Sequence, residues 1–396
     1  MCVESSYGLC FIGFGNVGQG LARILVRKER ELEERWGFTF RTVAVVTRTR
    51  GAAVSGSGLS LRELLERSER GEPIGNDRIS PIDAALLPET GIVLDVTPTN
   101  LVTGEPGLSL TRAALGAGRS VVSSNKGPVS LALTELKELA DSTGAHYRFE
   151  GSVLSGTPSL NLALESLAGC NVQKVEGIVN GTTNYILTRM EEGFEYADAL
   201  REAQEKGYAE ADPAGDVDGW DAAVKAQILA AVVLGTNLSL GAVKRTGISA
   251  ISRTDVESAL SRGKRIKLIA KAARTYEGAC ASVAPVEIPL SSHLASVGGA
   301  VNALTFTTDN LKEVTIIGPG AGREETGQAL LSDMLAIASS DRNRCRRKEE
   351  RKSEIRNQSV TIIATPVKLF RETWNANSGC KCEVEKMYKN GVYYPA

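Results

Sequence analysis

Histidine is nearly missing from this chain of 396 residues. Only His146 and His293 occur, too few for a histidine-based metal centre or triad, and both are expected to be structural. No apolar run approaches the ~18 residues of a membrane span, and the start lacks the pattern of a signal peptide. A soluble, cytoplasmic protein is therefore expected. Charge of one sign is also lacking: the net charge is −1, so no global basic field points to nucleic acid or membrane. The seven cysteines (Cys2, Cys10, Cys170, Cys280, Cys345, Cys380 and Cys382) are odd in number and form no C-x-x-C pair. That pattern suits a reducing compartment better than a disulfide framework or a zinc site. The length allows two or three domains with sizeable cores.

What is present begins near the amino terminus. The apolar run Leu9-Cys10-Phe11-Ile12 leads into Gly13-Phe14-Gly15-Asn16-Val17-Gly18, then Leu21, Ile24, Leu25 and Leu32 at helical spacing. Strand, G-x-G-x-x-G and helix in that order form the dinucleotide fingerprint in its required context. Gly13 allows the tight turn, Gly15 lets backbone amides reach a pyrophosphate, and Gly18 lets the helix pack closely. Further strands are expected at 42–46, 92–96 and 120–123, and a helix at 109–117. Ser60 and Glu63 have the spacing of a capping box. This alternation predicts an α/β fold, a doubly wound parallel sheet with ligand at the carboxyl ends of its strands. Thr97 and Lys126 sit at such ends. Lys126 is either a solvated loop lysine or a residue of the nicotinamide pocket.

Beyond Glu150 short strands (172–179, 283–288, 303–308) mix with helices near 197–205 and 222–234, which predicts a second, α+β domain. The helix from Ala222 is apolar on nearly every face and belongs in a core. Asp221 and Lys225, four apart, share one of its faces. Such a pair is either an ordinary helix-start ion pair or a functional one, since burying charge is costly. A strand at 314–317, a glycine turn and a helix at 326–338 are expected to return to the nucleotide domain. The expected domains are thus 1–150 completed by 310–338, a catalytic and dimerisation domain at 151–309, and an atypical tail at 339–396. Residues 339–358 are rich in Arg and Lys with interleaved acids, and are expected to be solvated and mobile. A nucleic-acid arm is disfavoured by those acids.

Together the fingerprint, Asn125-Lys126-Gly127-Pro128, Glu150-Gly151-Ser152-Val153, Asn180-Gly181-Thr182-Thr183-Asn184-Tyr185-Ile186, the block from Gly207 to Pro213, the block from Gly219 to Lys225, and Gly320-Ala321-Gly322 resemble homoserine dehydrogenase. The resemblance runs in order over residues 8–338 and does not extend to the last 58. It implies reversible, NAD(P)-dependent interconversion of L-aspartate 4-semialdehyde and L-homoserine, the branch step toward threonine, methionine and isoleucine. It further implies that Glu210 and Asp221 hold the substrate, with Gly207, Tyr208 and Thr182 shaping the pocket. Lys225 is then the proton donor, positioned by Asp221, with Lys126 the rival. Either lysine would need a lowered pKa to serve near neutral pH. The implied monovalent cation, sodium by its preference for hard oxygen ligands, takes a side-chain oxygen of Glu150 and carbonyls of Val153, Ser155 and Thr157. Gly322 would approach the nicotinamide, and the family suggests a homodimer.

The second strand ends in Thr47-Arg48-Thr49-Arg50 with no acid nearby, so NADP is expected over NAD, Arg48 first and Arg50 second gripping the 2′-phosphate. The chain begins almost at the fingerprint, and the 58 residues after Ala338 are short and begin with a charge run, so a separate feedback-sensing domain is not expected. Two alternatives stand beside this reading: an NADP-dependent dehydrogenase of another small amino or hydroxy acid, and a non-enzymatic NADP-binding module.

Overall fold

The computed structural model describes residues 6–363. The first sheet is built from β1 (Tyr7–Ile12), β2 (Phe40–Val46), β3 (Ala52–Leu59), β4 (Ile92–Asp95), β5 (Ser120–Ser123) and β6 (Tyr147–Arg148). Its order is β3-β2-β1-β4-β5-β6. All neighbours pair in parallel except β2 with β3, an antiparallel edge. Its helices are α1 (Asn16–Trp36), α2 (Leu61–Glu69), α3 (Pro81–Ala85), α4 (Gly107–Gly116) and α5 (Lys126–Thr143). The order reverses between β1 and β4, and ligands of such sheets bind outside the carboxyl ends at that switch. There Gly13 adopts a φ of 100°, and a Cβ on it would strike the Val96 backbone, so only glycine fits.

The second half carries α6 (Gly181–Glu191), α7 (Tyr196–Glu205), α8 (Ala214–Val217), α9 (Trp220–Val233) and α10 (Arg253–Ser261). Its strands are β7 (Val172–Ile178), β8 (Lys244–Arg245), β9 (Lys264–Thr275), β10 (Gly278–Pro289), β11 (Val301–Thr308) and β12 (Lys312–Pro319). Their order is β12-β11-β7-β9-β10-β8. Val175, Leu304 and Phe306 from this sheet share one core with Ala222, Val224, Ile228 and Leu229 of α9. That all-round burial is why α9 shows no polar stripe.

The last helix, α11 (Arg323–Ile363), returns to the first sheet: Leu330, Leu331, Met334 and Ile337 pack with Leu9, Phe11, Leu21 and Leu25. The strand expected to return with it does not. β12 pairs along its whole length with β11 through a short turn, so it is an edge of the second sheet. Hairpin pairing with its sequence neighbour prevails over a crossing to the other sheet. The stretch after Ala338 is mostly exposed and helical. Residues 339–358 continue α11, being rich in helix-forming Arg, Lys and Glu, with Arg346 and Glu350 paired one turn apart. Residues 6–344 belong to one compact unit and those from 345 to another. The expected tail beyond 363 lies outside the described residues. At α2 the Ser60 hydroxyl accepts from Glu63 N, half of the expected box, whereas Ser252 and Asp255 form a complete one at α10.

Candidate active site

The site grows from three helix starts that meet between the two sheets. Asn125 caps α5 by accepting from Gly127 N, which puts Lys126 at the first helical position. That cap is braced from behind. Buried Asp95 accepts from the Thr97 hydroxyl at 2.6 Å, and the same hydroxyl accepts from Asn125 Nδ2 at 3.0 Å. Thr97 is thus occupied as a brace, and its backbone N–H also donates to Asp95, at 3.1 Å. Asn180 caps α6 by accepting from Thr183 N. Gly219, left-handed at φ 81°, turns the chain into α9 and sets Asp221 in its first turn.

Asp221 is the hub. Its Oδ2 lies 2.7 Å from Lys225 Nζ and its Oδ1 3.6 Å from Lys126 Nζ, so the two lysines grip opposite oxygens. Asn180 Nδ2 donates to Asp221 Oδ2 at 3.1 Å and to Asp216 Oδ1 at 2.6 Å. Lys225, only 7 % exposed, also donates to the Val179 carbonyl at 2.7 Å. Burial alone would push the Asp221 carboxyl up, but Lys225, Lys126 and Asn180 outweigh it and hold the group below the usual carboxylate range. Burial pushes Asp216 the other way, above its ordinary value, with Asn180 opposing. Two neighbouring carboxyls are thus driven apart in acidity.

At the rim, the Thr182 hydroxyl donates to the Tyr208 carbonyl at 2.6 Å, and the Tyr208 ring, half exposed, packs on Tyr185. Gly207 takes the left-handed conformation that ends α7. Glu210 is exposed, and its carboxylate makes no hydrogen bond among the described residues. It is therefore free but is not drawn into the Asp221 cluster. In the fingerprint, Gly15 and Asn16 are exposed, and a Cβ on Gly15 would meet nothing, which leaves room for a diphosphate against the start of α1. Phe14 packs edge-on to Phe11 in the core, so it and half-buried Val17 offer only backbone. Arg48 is exposed with no partner among the described residues, whereas Arg50 donates to Ser68 Oγ at 2.6 Å. Arg50 is thereby tied to α2, away from the role of backup phosphate ligand.

The loop after Glu150 differs from what the resemblance implies. The Glu150 carboxylate accepts from Ser159 N at 2.7 Å, Leu160 N at 3.0 Å and Asn161 N, so its side chain is already spent on backbone donors. The carbonyls of Val153, Ser155 and Thr157 accept no hydrogen bond among the described residues. Ser155 has a φ of 55°, a left-handed conformation that is strained for a non-glycine residue. Among the described residues no group of three or more His, Cys, Asp or Glu side chains comes together, so a cation here would rest on backbone oxygens. Gly322, with φ 134°, ends the turn after β12.

Residues 158–335 match the profile of the family named homoserine dehydrogenase. An NAD(+)-dependent homoserine dehydrogenase of Pseudomonas canavaninivorans is 40% identical over 342 residues, 85% of this chain and 97% of the relative. The chain belongs to the homoserine dehydrogenase family. The homoserine dehydrogenase of Methanocaldococcus jannaschii is also 40% identical, across 84% of this chain and 98% of its own. A hyperthermophilic archaeal homoserine dehydrogenase solved in complex with NADPH superposes with a TM-score of 0.74 at 29% identity, covering 85% of this chain and 98% of that one. Membership makes the chain an oxidoreductase with a nucleotide-binding Rossmann sheet.

Three members of the cluster escaped sequence reasoning. Asp216 lies between two blocks already singled out, and its carboxylate three residues after a proline was a usable signal. Asn180 precedes Gly-Thr-Thr as an N-cap residue would. The Val179 carbonyl left no trace in the sequence, because any residue supplies one.

Proposed function

We propose that this chain interconverts L-aspartate 4-semialdehyde and L-homoserine with NADP as the preferred cofactor, in threonine, methionine and isoleucine biosynthesis. The observation that carries the reading is Asp221 held between Lys126 and Lys225 at the switch-point crevice. The open fingerprint at Gly15 and the lone Arg48 fit a dinucleotide with a 2′-phosphate. A nicotinamide bound there gives a hydride to the aldehyde carbon or takes it back from the alcohol. Lys225 commits two of its three protons to Val179 and Asp221, leaving one for the substrate oxygen. As hydride arrives at carbon, the carbonyl electron pair takes that proton, and oxidation returns it. Lys126, on the nucleotide side, shields the developing charge and is the rival donor. Glu210, Asp216 and Asp221 provide anions for the substrate ammonium. The start of α6, at half-buried Gly181 and buried Thr182, provides backbone donors for its carboxylate.

A monovalent cation, sodium by ligand type, is assigned to the carbonyls of Val153, Ser155 and Thr157, with the charge of Glu150 close by. We place the enzyme in the cytoplasm as a homodimer. Among the described residues no helix is long and apolar enough to cross a membrane. Val286, Leu290, Val301 and Ile317 expose 37–53% of their surface on or beside the second sheet, as a symmetric partner would require. The test is homoserine oxidation followed at the nicotinamide absorbance. Wild type should turn over, and Lys225→Ala should lose activity by a factor on the order of 10²–10⁴ while binding cofactor normally. A Lys225→Ala enzyme with most of its kcat transfers the proton role to Lys126.

A further inference from the structure

Asn302 on β11 is wholly buried, and neither its Nδ2 nor its Oδ1 has a hydrogen-bond partner. Among the described residues no other side chain has two polar atoms buried and unpaired. An unmet buried group costs about 1–3 kcal/mol, so something pairs with this amide when the protein works. A trapped water is one candidate and a ligand is the other.

Its position favours a ligand. Asn302 alternates along β11 with Leu304 and Phe306, on the face packed against α9. Since Ala303 pairs with Ile178, Asn302 lies level with Val179, whose carbonyl receives Lys225. Just before it, the Ala300 carbonyl crowds Gly181 at the start of α6. Across the hairpin Asn302 faces Gly318, and the turn beyond folds Gly320 down onto the amide, where a Cβ would collide with both polar atoms. The turn runs on to Arg323, whose carbonyl touches Gly20 in α1. It therefore spans the distance from the phosphate-facing helix to the Lys225 cluster, which the nicotinamide end of a bound dinucleotide must also span.

We infer that Asn302 recognises the nicotinamide carboxamide. When the cleft fills, the turn at 320–322 lifts from the side chain. Asn302 Nδ2 then donates to the carboxamide oxygen, and its Oδ1 accepts from the carboxamide NH2. The inference rests on the cofactor reading above. At the reacting end of cofactor and substrate, only the carboxamide sets a donor beside an acceptor in one plane, as a primary amide does. Phosphate and carboxylate accept without donating, and ammonium donates without accepting. Glycine at 320 and 322 leaves the turn free to move. The pairing would fix which way the ring faces the substrate.

The experiment measures binding of NADPH and of its 3-acetylpyridine analogue, which has a methyl group where the carboxamide has NH2, to the full-length protein by calorimetry. Wild type should bind the analogue on the order of 10-fold more weakly than NADPH, one hydrogen bond in affinity terms. Asn302→Leu, which loses both hydrogen bonds, should bind NADPH at least as weakly as wild type binds the analogue, and should not distinguish the two. Asn302→Asp keeps the shape but loses the donor, and covers the case in which the leucine variant does not fold. It should likewise bind NADPH more weakly than wild type does. Unchanged discrimination in a folded Asn302→Leu, or unchanged NADPH affinity in Asn302→Asp, overturns the inference and leaves Asn302 holding a buried water. A wild type that binds neither dinucleotide overturns the cofactor reading, and the inference with it.

Discussion

Asp221 draws its stability from its neighbours. Its carboxylate is ionised because two ammonium groups and an amide face it, not because water does. In the unfolded chain it returns to an ordinary carboxylate pKa near ~3.9. Its folded value is lower, so its stabilisation is complete above the unfolded value and is lost as pH falls through the folded one. Asp221→Asn removes this and leaves Lys225 buried against one carbonyl. The expected cost at pH 7 is about 1–3 kcal/mol, since the pair keeps some contact with solvent. The deficit should shrink when both proteins are unfolded by denaturant at pH 3.5 instead of pH 7. A deficit that grows toward acid would show that Asp221 is not the group held low. At the same scale Cys10 is buried in β1 and its thiol is pushed up to about 12 by that burial, so its thiolate plays no part near neutrality.

At the level of elements, selectivity for the cofactor resides where β2 ends. Arg50 is drawn back onto α2 and braces the loop, so Arg48 alone projects freely. A charge-assisted contact to a 2′-phosphate is worth about 1.5–3 kcal/mol. Arg48→Asp should therefore weaken NADP by roughly 10- to 100-fold and improve NAD, whose 2′-hydroxyl can donate to the new acid. Dissociation constants for both cofactors in both proteins check this. Wild type that binds NAD as tightly as NADP would end the claim, a live outcome given the NAD(+)-dependent relative. The strands of the first sheet were readable because β1, β2, β4 and β5 are buried on both faces and so appear as unbroken apolar runs. β3 was not, because AAVSGSGL at an antiparallel edge lacks that run. β9 escaped as well: KRIKLIAKAART is made of good helix formers, and only its twelve-residue pairing with β10 makes it a strand. Lys126, Asp221 and Lys225 were legible from motif spacing, whereas the use of Glu150 on backbone donors and the withdrawal of Arg50 depend on contacts made far along the chain.

For the molecule as a whole, the question is where the catalytic unit stops. A boundary after Ala338 is suggested by the loss of apolar residues there. The contacts place it later. Asp341 accepts from the Tyr7 hydroxyl at 3.1 Å and pairs with His146 at 3.4 Å, joining the start of β1 and the residue before β6 to α11. Burial would raise the Asp341 carboxyl, but His146 and Tyr7 hold it below its usual value. Arg342 and Arg344 donate to the Gly37 and Gly144 carbonyls, which end α1 and α5. Four side-chain contacts thus lie between Ala338 and Cys345, where the compact unit ends. Each partly exposed contact contributes about 0.5–1 kcal/mol, so losing all four should cost about 2–4 kcal/mol and several degrees of Tm. A chain cut after Arg344 is expected to keep the kcat and Tm of the full protein. A chain cut after Ala338 should melt several degrees lower while keeping its kcat at low temperature, because Lys126, Asp221 and Lys225 are untouched. Thermal melts and turnover on the three lengths decide it. Equal Tm for the two truncated chains would show that α11 beyond Ala338 contributes nothing to the fold.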